Sequence, residues 1–130
     1  MISEGTFLFN SKLDSEFLGC VYEEDMDHAE MVFQKFVDTI EEQLTEIEEA
    51  FTSRDVENFR KKLHKLKPVL SYVGLTGLTT KAELIERSCV NVSDINVFNG
   101  AYTGFKTDLN EMKLIVEHDL TRLKQLKSPL

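Results

Sequence analysis

From about residue 26 onward, the apolar positions of this chain recur in steps of three and four, the spacing that lines side chains along one face of an α-helix. Ala29, Phe33, Phe36, Ile40, Leu44, Ile47 and Phe51 form the first such stripe. Asp27 followed by Glu30 has the form of a capping box with Asp in the cap position, which predicts the helix start. Glu41, Glu42, Glu46, Glu48 and Glu49 fall mostly off the stripe and read as a solvated outer face. Thr52-Ser53-Arg54-Asp55 breaks the pattern and supplies caps for a second helix. That helix carries Val56, Phe59, Leu63, Leu66, Leu70 and Val73, with Gly74 as its stop. A third begins near Thr76 and places Leu78, Ala82, Ile85 and Cys89 on one face, and residues 90–93 read as a connection. The fourth starts near Asp94 and runs through Ile95, Phe98, Tyr102, Phe105, Leu109, Met112, Val116, Leu120 and Leu123. Gly100 and Gly104 lie four apart on it, a spacing that suits a close helix contact or a bend, although each weakens the helix by about 1 kcal/mol relative to Ala.

No period-two alternation and no Asn-Gly or Asp-Gly hairpin signal interrupts this pattern. Amphipathic helices joined by short turns predict an all-α fold, an antiparallel four-helix bundle over 26–126. The segment 1–25, with Leu13, Phe17, Leu18 and Val21, predicts a short extra helix closing one end. At 130 residues the chain is long enough for one domain and too short for two ordinary ones, so 1–130 reads as a single domain. Only two prolines are present, Pro68 and Pro129, and with so few breakers long helices are expected. The end Lys127-Ser128-Pro129-Leu130 reads as unstructured.

Charge narrows the function. A net charge of −8 argues against sequence-independent nucleic-acid binding, which needs a strong positive field. No stretch approaches the roughly 20 apolar residues of a membrane helix. The start, MISEGTFLFNSKLD, lacks the basic residues and apolar core of a signal peptide. Cys20 and Cys89 form neither a C-x-x-C pair nor a framework, so a reducing, cytoplasmic setting is expected. Arg60, Lys61, Lys62, Lys65 and Lys67 make the one basic cluster in an acidic chain, and a solvated helix face is its plainest explanation.

His64 gives that cluster a second explanation. It stands about 100° around the helix from Leu63, on the shoulder between core and solvent. Its same-face neighbours three and four residues away are Arg60, Lys61, Lys67 and Pro68. Cations beside an imidazole favour its neutral, nucleophilic form, attract a phosphoryl group and offset the charge of a phosphoimidazole. His28 and His118 have no comparable setting and are expected to be exposed.

The run Leu63-His64-Lys65-Leu66-Lys67-Pro68-Val69-Leu70-Ser71-Tyr72-Val73-Gly74-Leu75 resembles the signature of histidine-containing phosphotransfer (HPt) domains. That signature has the phospho-accepting histidine, an apolar residue two later, a lysine three later and a glycine ten later. His64, Leu66, Lys67 and Gly74 occupy those positions, and Leu78, Ala82, Ile85 and Glu86 fall where the family's next helix has its usual residues. The resemblance implies that His64 takes phosphoryl from a receiver-domain aspartate and passes it to another, and that Lys67 steadies the phosphoryl oxygens. It places Glu86 where a polar side chain holds the inner nitrogen of the imidazole, leaving the outer nitrogen free to attack. Arg60, Lys61, Lys65, Pro68 and Ser71 become candidates for docking contacts.

Two positions depart from the family pattern. Leu63 stands where a small residue is common and reads as core packing. Pro68 stands where glycine is usual; it has no N–H for the His64 carbonyl, so a kinked but continuing helix is expected, with the docking geometry altered more than the chemistry. A sensor-kinase dimerisation helix would place an acidic residue directly after the histidine, where this chain has Lys65, and no nucleotide-binding glycine loop is present. The chain is therefore read as a carrier and not an enzyme, without cofactor or metal of its own, the Mg²⁺ of the reaction belonging to the partner receiver. Its expected partners are response-regulator receiver domains and a hybrid histidine kinase, and the expected state is a monomer. The rival reading is a helical interaction module that binds a signalling partner without phosphorylation.

Overall fold

The computed structural model describes residues 7–126, which contain five α-helices and no strand. Helix α1 spans Ser15–Tyr22, α2 Met26–Thr52, α3 Val56–Ser71, α4 Thr76–Ser88 and α5 Asn99–Leu126. Helices α2 to α5 form the bundle: α3 packs between α2 and α4, and α5 closes the ring against both. Short connections between sequential helices make those neighbours antiparallel. No helix among the described residues is long and apolar enough to cross a membrane. The expectation for 127–130 falls outside the described residues.

The predicted stripes meet in one core. Phe33, Phe59, Leu63, Leu66, Leu70, Tyr102, Phe105 and Leu109 are all buried, each contributing about 1.5–3 kcal/mol by leaving water. The rings of Phe51, Phe59 and Tyr102 pack on one another with centroids 4.6–5.5 Å apart, tying α2, α3 and α5 together. Of the acidic outer face of α2, three residues reach neighbouring helices: Glu46 meets Lys62, Glu41 meets Lys113, and Glu48 accepts bonds from Tyr102 and Lys106.

Aspartates start the helices. Asp14, Asp25 and Asp55 each accept a hydrogen bond from the backbone N–H three residues on, at 3.0–3.1 Å. The cap of α2 is thus Asp25 and not Asp27, which lies in the first turn. The reason is the backbone ahead of it: Glu23 and Glu24 adopt φ of 44° and 71°, turning the chain so that Asp25 meets the first free N–H groups. The start of the last helix also differs from expectation. Asp94 caps a 3-10 turn, Ile95–Phe98, and the α-helix proper begins at Asn99.

Gly74 ends the α3 segment at φ 82°, as expected of a helix stop. A Cβ there would lie 2.7 Å from Leu18 Cδ1 and 2.9 Å from Leu13 Cβ, so the glycine also makes room for the N-terminal segment. The close helix contact expected at Gly100 and Gly104 is absent: a Cβ at either would meet nothing within 4 Å, because both face solvent. Pro68 does not break α3, which runs on to Ser71.

Helix α1 closes one end as expected, seated by Leu13, Leu18 and Val21 of the expected set but not by Phe17. Leu18 and Tyr22 are buried with Phe9 and Leu13, whereas Phe17 is exposed. Tyr22 donates to the carbonyl of Tyr72 at 2.5 Å, Asp14 N–H donates to the Gly74 carbonyl at 2.8 Å, and the Thr76 hydroxyl donates to Asp14 Oδ2 at 3.0 Å. At the far end of the chain, fully buried Asp119 accepts from Asn10 N–H and from Arg122, both at 2.7 Å. Arg122 in turn lies over the Phe7 ring. The N-terminal segment is therefore bound at both the α3–α4 corner and α5.

Candidate functional site

His64 stands in the middle of α3, exposed to 64% at its side chain, with buried Leu63 beside it in the core stripe. One helical turn on, Lys67 leaves the same face toward α4. Helix α4 packs along α3 and presents Glu83 and Glu86, three residues apart, to this pair.

Glu86 is the hinge of the arrangement. Its Oε2 lies 2.8 Å from His64 Nδ1, and its Oε1 lies 2.6 Å from Lys67 Nζ. With Nδ1 donating to a carboxylate, the ring is held in the tautomer whose lone pair is on Nε2, on the outward edge. Burial opposes the charge on Glu86, but the ion pair with Lys67 and the hydrogen bond from His64 outweigh it and hold the carboxyl below its ordinary value of 4.5. The ion pair with Glu86, aided by the hydrogen bond that Lys67 donates to Glu83, holds the Lys67 ammonium above its ordinary 10.5 against the pull of burial. An outward Nε2, a fixed carboxylate behind the ring and an ammonium beside it form an arrangement suited to phosphoryl transfer at Nε2.

The residues singled out from the sequence thus fall into three groups. His64, Lys67 and Glu86 are brought together as expected. Among the docking candidates, Lys61, Lys65 and Pro68 are exposed on the outer face of α3. Pro68 also forms one lip of a groove of about 450 Å³ between α2 and α3, floored by Val32, Phe36 and Val69. Arg60 and Ser71 are engaged within the protein. Arg60 makes a two-pronged pair with Glu57, and the Ser71 hydroxyl bonds Thr79 on α4 at 2.9 Å.

The basic cluster is therefore less bare than its sequence suggests. Lys62 is paired with Glu46, Arg60 with Glu57, and Lys67 with two carboxylates. The charged group touching the His64 ring is the Glu86 carboxylate and not a cation of the cluster. Sequence reasoning missed Glu83, whose Oε1 lies 3.3 Å from Lys67 Nζ while its Oε2 faces Arg87 at 3.3 Å. The available signal was its spacing, one turn before Glu86 on the same helix.

His28 and His118 are both exposed, His28 standing edge-on to Tyr22. Buried Cys89 has its thiol pushed up to about 11, chiefly by desolvation, which keeps it protonated and unreactive. Among the described residues, no group of three or more His, Cys, Asp or Glu side chains could hold a metal ion.

No curated protein and no solved structure matches the chain. A family model for the Hpt domain matches residues 31–125, which take in the whole of α3 and α4 with most of α2 and α5. The helices that build the site are the helices the model covers, and the chain belongs to the Hpt domain family.

Proposed function

We propose that this chain is a phosphoryl carrier that accepts the group on Nε2 of His64 from a receiver-domain aspartyl phosphate and yields it to the aspartate of another. Hpt domains serve histidine phosphotransfer in phosphorelays and engage receiver domains, being carriers without an ATP site of their own. The observation that supports the reading for His64 is the Nδ1–Glu86 bond at 2.8 Å on an otherwise exposed ring. It fixes the nucleophilic nitrogen outward, where a second protein can reach it.

In this reading Lys67 meets the phosphoryl oxygens, Glu86 neutralises the phosphoimidazolium, and Lys61, Lys65 and Pro68 touch the docked receiver. The receiver supplies the Mg²⁺ and its own lysine, and catalysis rests on in-line placement of the two nucleophiles. The carrier is monomeric and cytoplasmic, and it turns nothing over alone.

The test is transfer from a panel of phosphorylated receiver domains. An acid-labile, alkali-stable label on the wild type, lost in His64→Gln, is the expected result. Undiminished labelling of His64→Gln would refute the assignment, and binding of a receiver without any transfer would favour an interaction module.

A further inference from the structure

We propose that Glu83 is a positioning residue that competes with the phosphoryl group for Lys67 and so shortens the life of the phosphohistidine; the proposal rests on the reading of His64 as the acceptor.

The ammonium of Lys67 is shared between two carboxylates, 2.6 Å from Glu86 and 3.3 Å from Glu83. Its side chain is only 17% exposed, so it is folded back against α4 and not extended over the ring edge. To meet a phosphoryl group on Nε2 it must give up one contact. Glu86 is the poor candidate, because its other oxygen holds Nδ1 and its charge is needed by the phosphorylated ring. Glu83 is the good one: its contact is longer, its side chain is 43% exposed, and Arg87 already faces its second oxygen. Arg87 can keep the carboxylate company when Lys67 leaves.

The chemistry closes without further reagents. The Nε2 lone pair forms the N–P bond as the P–O bond of an acyl phosphate breaks, its electron pair leaving on the carboxylate. With phosphoramidate as donor the P–N bond breaks instead and ammonia departs. The ring keeps its Nδ1–H and becomes a phosphoimidazolium, facing Glu86. Loss of the group to water passes through a loose, metaphosphate-like transition state in which the phosphoryl oxygens push electron density toward phosphorus. A cation that holds that density on the oxygens, with no in-line acceptor docked, slows it. Whatever draws Lys67 away shortens the lifetime, and whatever draws Glu83 away lengthens it.

The experiment uses the full chain phosphorylated with potassium phosphoramidate, with decay of phosphohistidine followed by ³¹P resonance after the donor is removed. Glu83→Gln is expected to lengthen the half-life roughly twofold to fivefold, the range for a partly exposed ion pair. Arg87→Gln, which leaves Glu83 to Lys67 alone, is expected to shorten it, and Lys67→Gln to shorten it further. In the Lys67→Gln background, Glu83→Gln is expected to change nothing. A general structural role for Glu83 would give neither opposite signs nor dependence on Lys67. Equal half-lives for Glu83→Gln and wild type, or an effect that survives in the Lys67→Gln background, would overturn the proposal while leaving His64 as the acceptor. Failure of the wild type to take label on His64 from either phosphoramidate or a receiver would overturn the acceptor reading itself.

Discussion

Glu86 gives one oxygen to the imidazole and the other to Lys67, so one side chain sets both the tautomer and the position of the cation. Glu86→Ala should slow phosphoryl acceptance about tenfold, the worth of a charge-assisted hydrogen bond, whereas Glu86→Gln keeps an acceptor for Nδ1–H and should lose less. Transfer rates from a phosphorylated receiver distinguish the two. The same pair has a signature in stability. The Glu86 carboxyl is depressed in the folded state, so its contribution is present above the unfolded value and disappears as pH falls below 4.5 through the folded value. Lys67 is raised, so its contribution is full below 10.5 and disappears as pH rises beyond that through its folded value. Thermal unfolding of wild type against a Glu86→Gln, Lys67→Gln double variant should therefore show a gap on the neutral plateau that closes at both extremes. The grouping of His64, Lys67 and Glu86 was legible through the resemblance of their positions to the HPt signature, which ties one helix face to its neighbour. Glu83 was passed over: its spacing one turn before Glu86 was visible, but a helical carboxylate looks the same whether it meets solvent or a lysine on the next helix.

Glycines in different elements should respond with opposite signs. Gly74→Ala forces an L side chain to φ 82° against Leu13 and Leu18, and should cost about 2–4 kcal/mol from backbone strain and overpacking combined. Gly100→Ala and Gly104→Ala fill open space on an exposed face of α5 and should each stabilise by about 0.5–1 kcal/mol. Urea unfolding of the three variants checks both signs. The pair in α5 had suggested close packing, since spacing on a face is visible in sequence while what lies opposite that face is not. Helix existence was readable throughout, because each stripe buries against another stripe and the period survives the whole length. Helix ends were less so. Asp25 and Asp27 are equally good caps by type, and what chooses between them is the positive φ of Glu23 and Glu24, which no residue preference announces. The 3-10 entry to α5 is of the same kind: a start near Asp94 was recognisable, but not the tighter winding it begins.

For the whole molecule, the joint between the two ends of the chain deserves a direct test. Asp119 is fully buried and holds Asn10 N–H and Arg122, a contact spanning 109 residues. Asp119→Ala should cost about 1–3 kcal/mol, because it strands the partly buried Asn10 N–H and Arg122 and empties a buried site, and should speed amide exchange at Asn10 and Leu13 while leaving α3 protected. The sequence carried a faint clue, an acidic residue three after Val116 and four before Leu123 on the apolar stripe. Its partner was unreadable, since a long-range bond to a backbone N–H leaves no pattern of residue types. The aromatic inventory has an optical consequence. The chain has no tryptophan and three tyrosines. Tyr22 and Tyr102 are buried, and Tyr102 donates to the carboxylate of Glu48, a contact that quenches phenol emission. Tyr72 is the exposed one, two turns beyond His64, about 12 Å along the helix axis. Tyr72 is then a native fluorophore set beside His64, the proposed acceptor, placed to report a docking event there without any label.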